Sequence, residues 1–335
     1  MLAKLEVNSR ELKRTLQDVK NLFPKGSTTL PLGIHVENNI MTLTTGTDCI
    51  LECFFSVECD LCLNITVLYT NLEEFIDVNE NTTMEILQTG VSISNSGFNM
   101  TLPVAYSTVS KSSTEVSTDF SDINTESAYS GLKLLTGTSL SNMYKKDPPI
   151  SVYKDVSVLK YPNVWVKART VGFGLDAVLS ADQCRLLTKY QPDTFARVRQ
   201  DLIVCCKTNS TLLLPVLPLT DDDNFSDLLD NMSDPISLDI SGYVEKLSVA
   251  SKLRVSVANV RLCSNGITTT CTSGDTSLSL SCGDTSSYVK SAVLPFGLWF
   301  TCLKMLDGSK IQILYGENRL CLRTRNLIIV VSVAL

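Results

Sequence analysis

The same alternation of helix and strands starts three times along this chain, and that repetition restricts the fold more than any single motif. The clearest register comes from a short helical segment in the middle of each copy: Leu72, Leu186 and Phe300 stand at equal steps of 114 residues. Each copy closes on an apolar strand, near Val104, Val216 and Val333. A period of this length exceeds that of solenoid repeats and describes three similar α+β domains, each with two helices and many strands. Composition marks the joints. Residues 107–127 are rich in Ser, Thr and Asp, and residues 220–235 carry Asp221, Asp222, Asp223, Asp227, Asp230 and Asp234. The expected domains are therefore 1–106, 128–219 and 236–335.

The first copy opens on the most legible helix, expected over 8–23. Leu12, Leu16, Val19 and Phe23 fall on one side of it, while Arg10, Lys13, Arg14, Gln17 and Lys20 form a basic rail on the other. Asn8 is placed to cap its first turn, with Glu11 three residues on. Taken alone, such a rail reads as a solvated helix surface. Strands are expected over 32–37, 40–45, 49–57 and 61–68, followed by a short helix from Asn71 whose Glu73, Glu74 and Asp77 form a solvated acidic face. Strands over 83–87, 90–94 and 98–104 close the copy.

The second copy reads as a helix over 131–144, strands over 151–159 and 164–171, a helix over 180–190 with a Ser180/Gln183 capping box, and strands over 196–199, 202–207 and 211–216. The third reads as a helix over 240–251, strands over 253–262 and 266–272, a helix over 295–306, and strands over 310–314, 319–323 and 327–333.

Charge and chemistry remove whole classes of function. Lys and Arg total 29 against 35 Asp and Glu, a net charge of −6, so any nucleic-acid contact has to be local rather than a product of overall positive charge. The chain has no apolar run long enough to span a bilayer and no secretory leader, which points to a cytoplasmic protein with no membrane contact. Its twelve cysteines lack framework spacing and read as reduced thiols. Cys59 and Cys62 form a lone CxxC, but Cys49 and Cys53 on one strand would stand about 13 Å apart, too far to share an ion with them, so no metal is expected. The single histidine, His35, lies in an expected strand and reads as structural. With no nucleophile–base pair, no HExxH and no phosphate-binding loop, neither an enzyme nor a cofactor is indicated.

The opening, LEVNSRELKRTLQDVKNLFPKGSTTLPLGIHVENNIMTLTTGTD, resembles the first domain of the bacterial sliding clamp, the β subunit of the replicative DNA polymerase. NFSDLLDNMS, VRLCSNGITTT and the closing LIIVVSVAL resemble its last domain. The resemblance implies three clamp domains in a crescent, with helices inside and sheets outside. It implies a head-to-tail homodimer closing a ring around double-stranded DNA, and a tether for the polymerase and clamp loader that catalyses nothing. A lining that touches phosphates without reading base edges can slide. On that footing Arg10, Lys13, Arg14 and Lys20 would face the DNA, with Lys25, Lys145, Lys146, Arg185, Lys189, Lys246 and Lys304 as further contacts.

The resemblance also implies a pocket for a short partner peptide. The family's Thr-Asp-Gly-His-Arg-Leu falls on Thr170, Val171, Gly172, Phe173, Gly174 and Leu175, keeping Thr, Gly and Leu. Asn231 and Met232 match the linker side, and Ile329 and Val331 are the expected apolar walls. The same residues also read as plain domain core. Two other readings stay open: a clamp-fold scaffold or decoy that does not encircle DNA, which the acidic stretch after Asn71 favours, and a β-rich structural or virion protein, which the Ser and Thr content favours.

Overall fold

The computed structural model describes residues 2–23, 30–46, 48–59, 61–69, 72–105, 121–122, 125–136, 140–171, 176–199, 201–219, 225–253, 255–273, 276–306 and 310–334. In chain order the elements begin with β1 (Ala3–Val7), α1 (Ser9–Leu22), β2 (Leu30–Glu37), β3 (Ile40–Gly46), β4 (Ile50–Ser56) and β5 (Leu63–Tyr69). After a 3-10 turn at Leu72–Glu74 come β6 (Thr82–Leu87), β7 (Gly90–Asn95), β8 (Phe98–Pro103) and β9 (Ser121–Asp122). Next are α2 (Thr125–Thr136), α3 (Leu140–Tyr144), β10 (Ile150–Val152), β11 (Val156–Tyr161), β12 (Val164–Arg169), β13 (Ala177–Leu179) and α4 (Ala181–Tyr190). They are followed by β14 (Thr194–Arg199), β15 (Leu202–Lys207), β16 (Ser210–Pro215), a second 3-10 turn at Ser226–Leu228, β17 (Ile236–Asp239) and α5 (Tyr243–Ser251). The last elements are β18 (Val257–Ser273), β19 (Thr276–Pro295), α6 (Phe296–Met305), β20 (Lys310–Tyr315), β21 (Arg319–Arg323) and β22 (Leu327–Ser332).

The chain forms two compact units, one from residues 1–125 and 186–217, the other from 126–185 and 218–335. The first holds a four-stranded sheet, β1-β6-β7-β8, and an eight-stranded sheet, β5-β2-β3-β4-β16-β15-β14-β9. Its core is the inward row of these strands with one face of α1; Leu5, Leu12, Leu16 and Ile34 are fully buried. The second unit holds the eight-stranded sheet β13-β10-β11-β12-β22-β21-β20-β17 and the two-stranded β18-β19. Here α5 and α6 pack on each other and on the β18–β19 ribbon, with Tyr243, Leu247 and Trp299 fully buried. Two isolated bridges add to these ladders among the described residues. Val67 of β5 pairs with Val104, just past β8, and Val293 of β19 pairs with Ala334, just past β22.

Several expectations change. The helix expected from Asn71 is a single 3-10 turn, and Glu73 is 2% exposed rather than solvated, because its carboxylate is drawn inward by a lysine and a tyrosine. The strand expected over 151–159 is two strands, β10 and β11, joined by a tight turn closed from the Tyr153 N–H to the Val156 carbonyl. Within the Ser/Thr-rich stretch, β9 pairs with β14 and α2 starts at Thr125, six residues before its expected start. The strands expected over 253–262 and 266–272 are one strand, since Ser264-Asn265-Gly266 does not turn. Gly266 instead faces Gly283 across the ribbon, and a Cβ on either would stand 2.2–2.3 Å from a backbone oxygen of the opposite strand.

All twelve cysteines are free thiols. Burial pushes Cys53, Cys184 and Cys302 up to about 12, and Cys321 up to about 11. These folded values lie above the ordinary thiol range near 8.5, so their contribution to stability is intact below pH ~8.5 and is lost as pH rises through the folded values. The denaturant midpoint is expected to fall between neutral pH and pH ~10.5, and a midpoint that stays level would contradict this. At neutral pH a maleimide should modify exposed Cys62 first and leave Cys53, Cys184 and Cys302 untouched until the chain unfolds.

Candidate nucleic-acid interface and peptide pocket

The basic helix forms as its sequence dictates. Asn8 adopts an extended conformation and its side chain accepts from the N–H groups of Arg10 and Glu11, at 3.1 Å each, satisfying two donors that the first turn leaves open. Leu12, Leu16, Val19 and Leu22 are buried, while Phe23 lies just past the end and is half-buried. Three polar contacts then fix the helix within its unit. Ser9 shares a 2.6 Å hydroxyl bond with Thr82, Lys13 donates from Nζ to the Ile76 carbonyl at 2.9 Å, and Lys20 donates to Glu73 at 2.7 Å and Glu74 at 2.9 Å.

The rail is therefore not uniform. Arg10 and Arg14 are exposed and engage no partner among the described residues. Lys13 is engaged by a carbonyl oxygen and not by a carboxylate. Lys20 is charge-compensated: the hydrogen bonds it donates to Glu73 and then Glu74 raise its affinity for its proton. Burial alone would raise the Glu73 carboxyl, but bonds from Lys20 and the buried Tyr69 hydroxyl overcome it and hold the carboxyl below its ordinary range. Lys189, near the end of α4, reaches the Asn21 carbonyl at 3.2 Å and so places a fifth cation beside the last turn of α1.

In the other unit the expected cations are scattered. Lys145 and Lys146 are exposed just beyond α3. Arg185 is held by Asp147 at 2.8 Å and Asp182 at 2.7 Å, so two carboxylates within its own unit already compete for its charge. Lys246 is exposed on α5, and Lys304 is exposed on α6 with its ammonium 5.4 Å from the centre of the Phe300 ring. Lys25 lies outside the described residues. The capping box of α4 is formed in both directions, Ser180 N–H to Gln183 at 2.8 Å and Gln183 N–H to Ser180 at 3.1 Å. His35 contacts Glu37 at 3.3 Å on a strand, and among the described residues no second ring partner is present.

The residues expected to form a peptide pocket fall on two faces of β22. Ile329 and Val331 are fully buried on one side of β22. The alternate residues, Ile328 and Val330, point to the opposite face. There they join an apolar cluster with Val158, Trp165, Cys321 and Leu314, over which Phe225, Leu228, Leu229 and Met232 are strapped. Met232 thus belongs to the cluster that holds Ile328 and Val330, while Ile329 and Val331 lie outside it, because one residue of shift on a strand exchanges the two faces. Asn231 is exposed in a left-handed conformation, φ 59°, which turns the chain into Met232. Thr170 is buried and shares a 3.1 Å hydroxyl bond with Ser157, so it supports the pocket from below. Gly172, Phe173 and Leu175 lie outside the described residues.

Among the described residues no group of His, Cys, Asp or Glu side chains stands close enough to hold a metal, and no helix is long and apolar enough to cross a membrane. No family model and no curated protein sequence matches the chain. Its fold nonetheless has close counterparts among solved structures. A Helicobacter pylori beta clamp in complex with 5-chloroisatin superposes with a TM-score of 0.77 at 10% identity, over 99% of this chain and 100% of that one. The same organism's beta clamp bound to a DNA ligase peptide gives 0.72 at 12% identity, over 99% and 100%. The DNA polymerase sliding clamp from Caulobacter crescentus gives 0.76 at 11% identity, over 99% of each chain. With its α+β repeat, its two eight-stranded sheets and its full-length superposition, the chain has the fold of the bacterial DNA sliding clamp.

Proposed function

We propose that this chain is a DNA processivity clamp: two copies close head to tail into a ring around duplex DNA, slide without reading sequence, and tether a polymerase and its loader through short peptides. The division into three clamp domains, 1–106, 128–219 and 236–335, belongs to this reading, as do a cytoplasmic site of action and the absence of catalysis. The observation that carries it is the exposed, unpartnered pair Arg10 and Arg14 on a helix fixed by Ser9, Lys13 and Lys20, in a chain of net charge −6. Local cations in an acidic protein confine phosphate attraction to one surface, and retention then comes from topology more than affinity. The apolar cluster under Phe225 and Met232 supports the peptide-tethering half of the reading.

The charge-compensated Lys20 and Arg185 favour a second reading, an interaction scaffold of clamp fold that does not encircle DNA. Light scattering separates the two at the first step: a mass of two chains at micromolar concentration is expected for the ring. Closed circular DNA should then retain the protein and lose it on linearisation, and Arg10→Glu with Arg14→Glu should abolish that retention while leaving the mass unchanged. A monomer at every concentration, or equal retention on circular and linear DNA, removes the encircling reading.

A further inference from the structure

The sheet face that carries the apolar cluster changes character at its other end. Strand registers place Lys167 of β12, Ile328 of β22, Arg323 of β21, Gln312 of β20 and Ser237 of β17 in one row across five neighbouring strands. Strands about 4.8 Å apart make that row about 19 Å long. Arg169 stands one same-face step beyond Lys167, and Lys310 stands one step from Gln312, opposite Asp239. The β21–β22 turn adds Arg325.

Two adjoining clefts, of about 330 Å³ and about 690 Å³, lie along this row and share Arg323, Thr324 and Arg325. Five cations line them against two carboxylates, Asp155 and Asp239. The side chains of Arg169, Arg323, Arg325 and Lys310 form no hydrogen bond or ion pair among the described residues, and all four residues are exposed. The cleft is continuous with the apolar cluster at two points: Ile328 belongs to both, and the Lys167 ammonium sits 5.2 Å above the Phe225 ring.

We propose that this cleft binds an acidic peptide segment, the flank of the same partner peptide whose apolar side chains enter the cluster under Met232. The inference rests on the pocket reading given above for its anchor, and adds the charge of the sequence beside that anchor. About six extended residues at ~3.3 Å each span the row, so two to four Asp or Glu side chains meet Lys167, Arg323 and Lys310 in turn. A peptide fits better than a nucleic acid. Among the described residues no aromatic side chain lines either cleft to stack a base, and Asp155 and Asp239 interrupt what a phosphate backbone requires as a continuous track.

The test uses the full chain and fluorescence anisotropy at physiological salt, with three probes: a peptide joining a Leu-Phe anchor to a Glu-rich flank, the same anchor with a Ser-Gln flank, and a single-stranded oligothymidylate. The acidic flank should bind about tenfold tighter than the neutral one, and Arg323→Glu with Arg325→Glu should erase the difference while leaving the neutral peptide's affinity unchanged. Equal binding of the two peptides by the unaltered chain would overturn the proposal and leave the pocket reading intact. Binding of the acidic peptide with none of the neutral one would support the cleft and remove the pocket. Tighter binding of the oligothymidylate than of the acidic peptide would overturn the proposal in favour of nucleic acid.

Discussion

Trp299→Ala is expected to lower the unfolding free energy by about 3–5 kcal/mol, in the range for truncating a fully enclosed aromatic side chain. Trp299 has no exposed surface, stands in the middle of α6, and donates from its indole nitrogen to the Thr269 hydroxyl at 3.2 Å. The same hydroxyl pairs with Tyr243 of α5, so one indole ties both helices to the β18–β19 ribbon. Its loss leaves a cavity where three elements meet and only partial collapse can fill it. The chain has two tryptophans, so Trp165 remains as the reporter for urea unfolding of the variant. A loss below about 1 kcal/mol would mean that the helices do not depend on this contact.

The second large effect is expected at Glu73. Glu73→Ala removes the acceptor for the buried Tyr69 hydroxyl and the nearer of two acceptors for Lys20, and is expected to cost about 3 kcal/mol. It also has a pH signature. The folded carboxyl lies below its ordinary range, so its contribution is fully present above pH ~4.3 and is lost as pH falls through the folded value. Midpoints measured from neutral pH down to pH ~3 should fall more steeply for the unaltered chain than for the variant. Parallel acid limbs would show that this carboxylate is not linked to folding. If the rail faces DNA, the variant that frees Lys20 should also raise duplex affinity at low salt, a gain that a purely structural role for Glu73 would not give.

What the sequence discloses here follows from how many faces each element has buried. α1 has one wet face and one dry one, so its stripe, its Asn8 cap and its rail are all legible, and the same holds for the capped α4. LIIVV in β22 is covered on both sides, one of them by the Phe225–Met232 strap, so its apolar residues do not alternate and the faces of the expected pocket walls cannot be seen in it. Glu73 and Glu74 look like surface charge until Lys20, more than fifty residues away, is brought beside them. The β18–β19 ribbon escapes for another reason. Ser-Asn-Gly normally marks a turn, but Gly266 is matched by Gly283 on the opposite strand, and the pair lets two backbones approach without reversing the chain. The cationic row is visible only as Lys167 and Arg169, two residues apart; its other cations come more than 140 residues later.

The pairing of β4 with β16, and of β12 with β22, sets the order in which the molecule can be made. β4 ends at Ser56 and waits for β16, which begins at Ser210; β12 ends at Arg169 and waits for β22, which begins at Leu327. A chain emerging from a ribosome therefore carries at least one open strand edge for most of its synthesis, each unable to close until some 150 further residues have been added. Neither large sheet is finished by any single repeat, so a fragment holding one repeat alone would expose an unpaired edge where the whole chain has none.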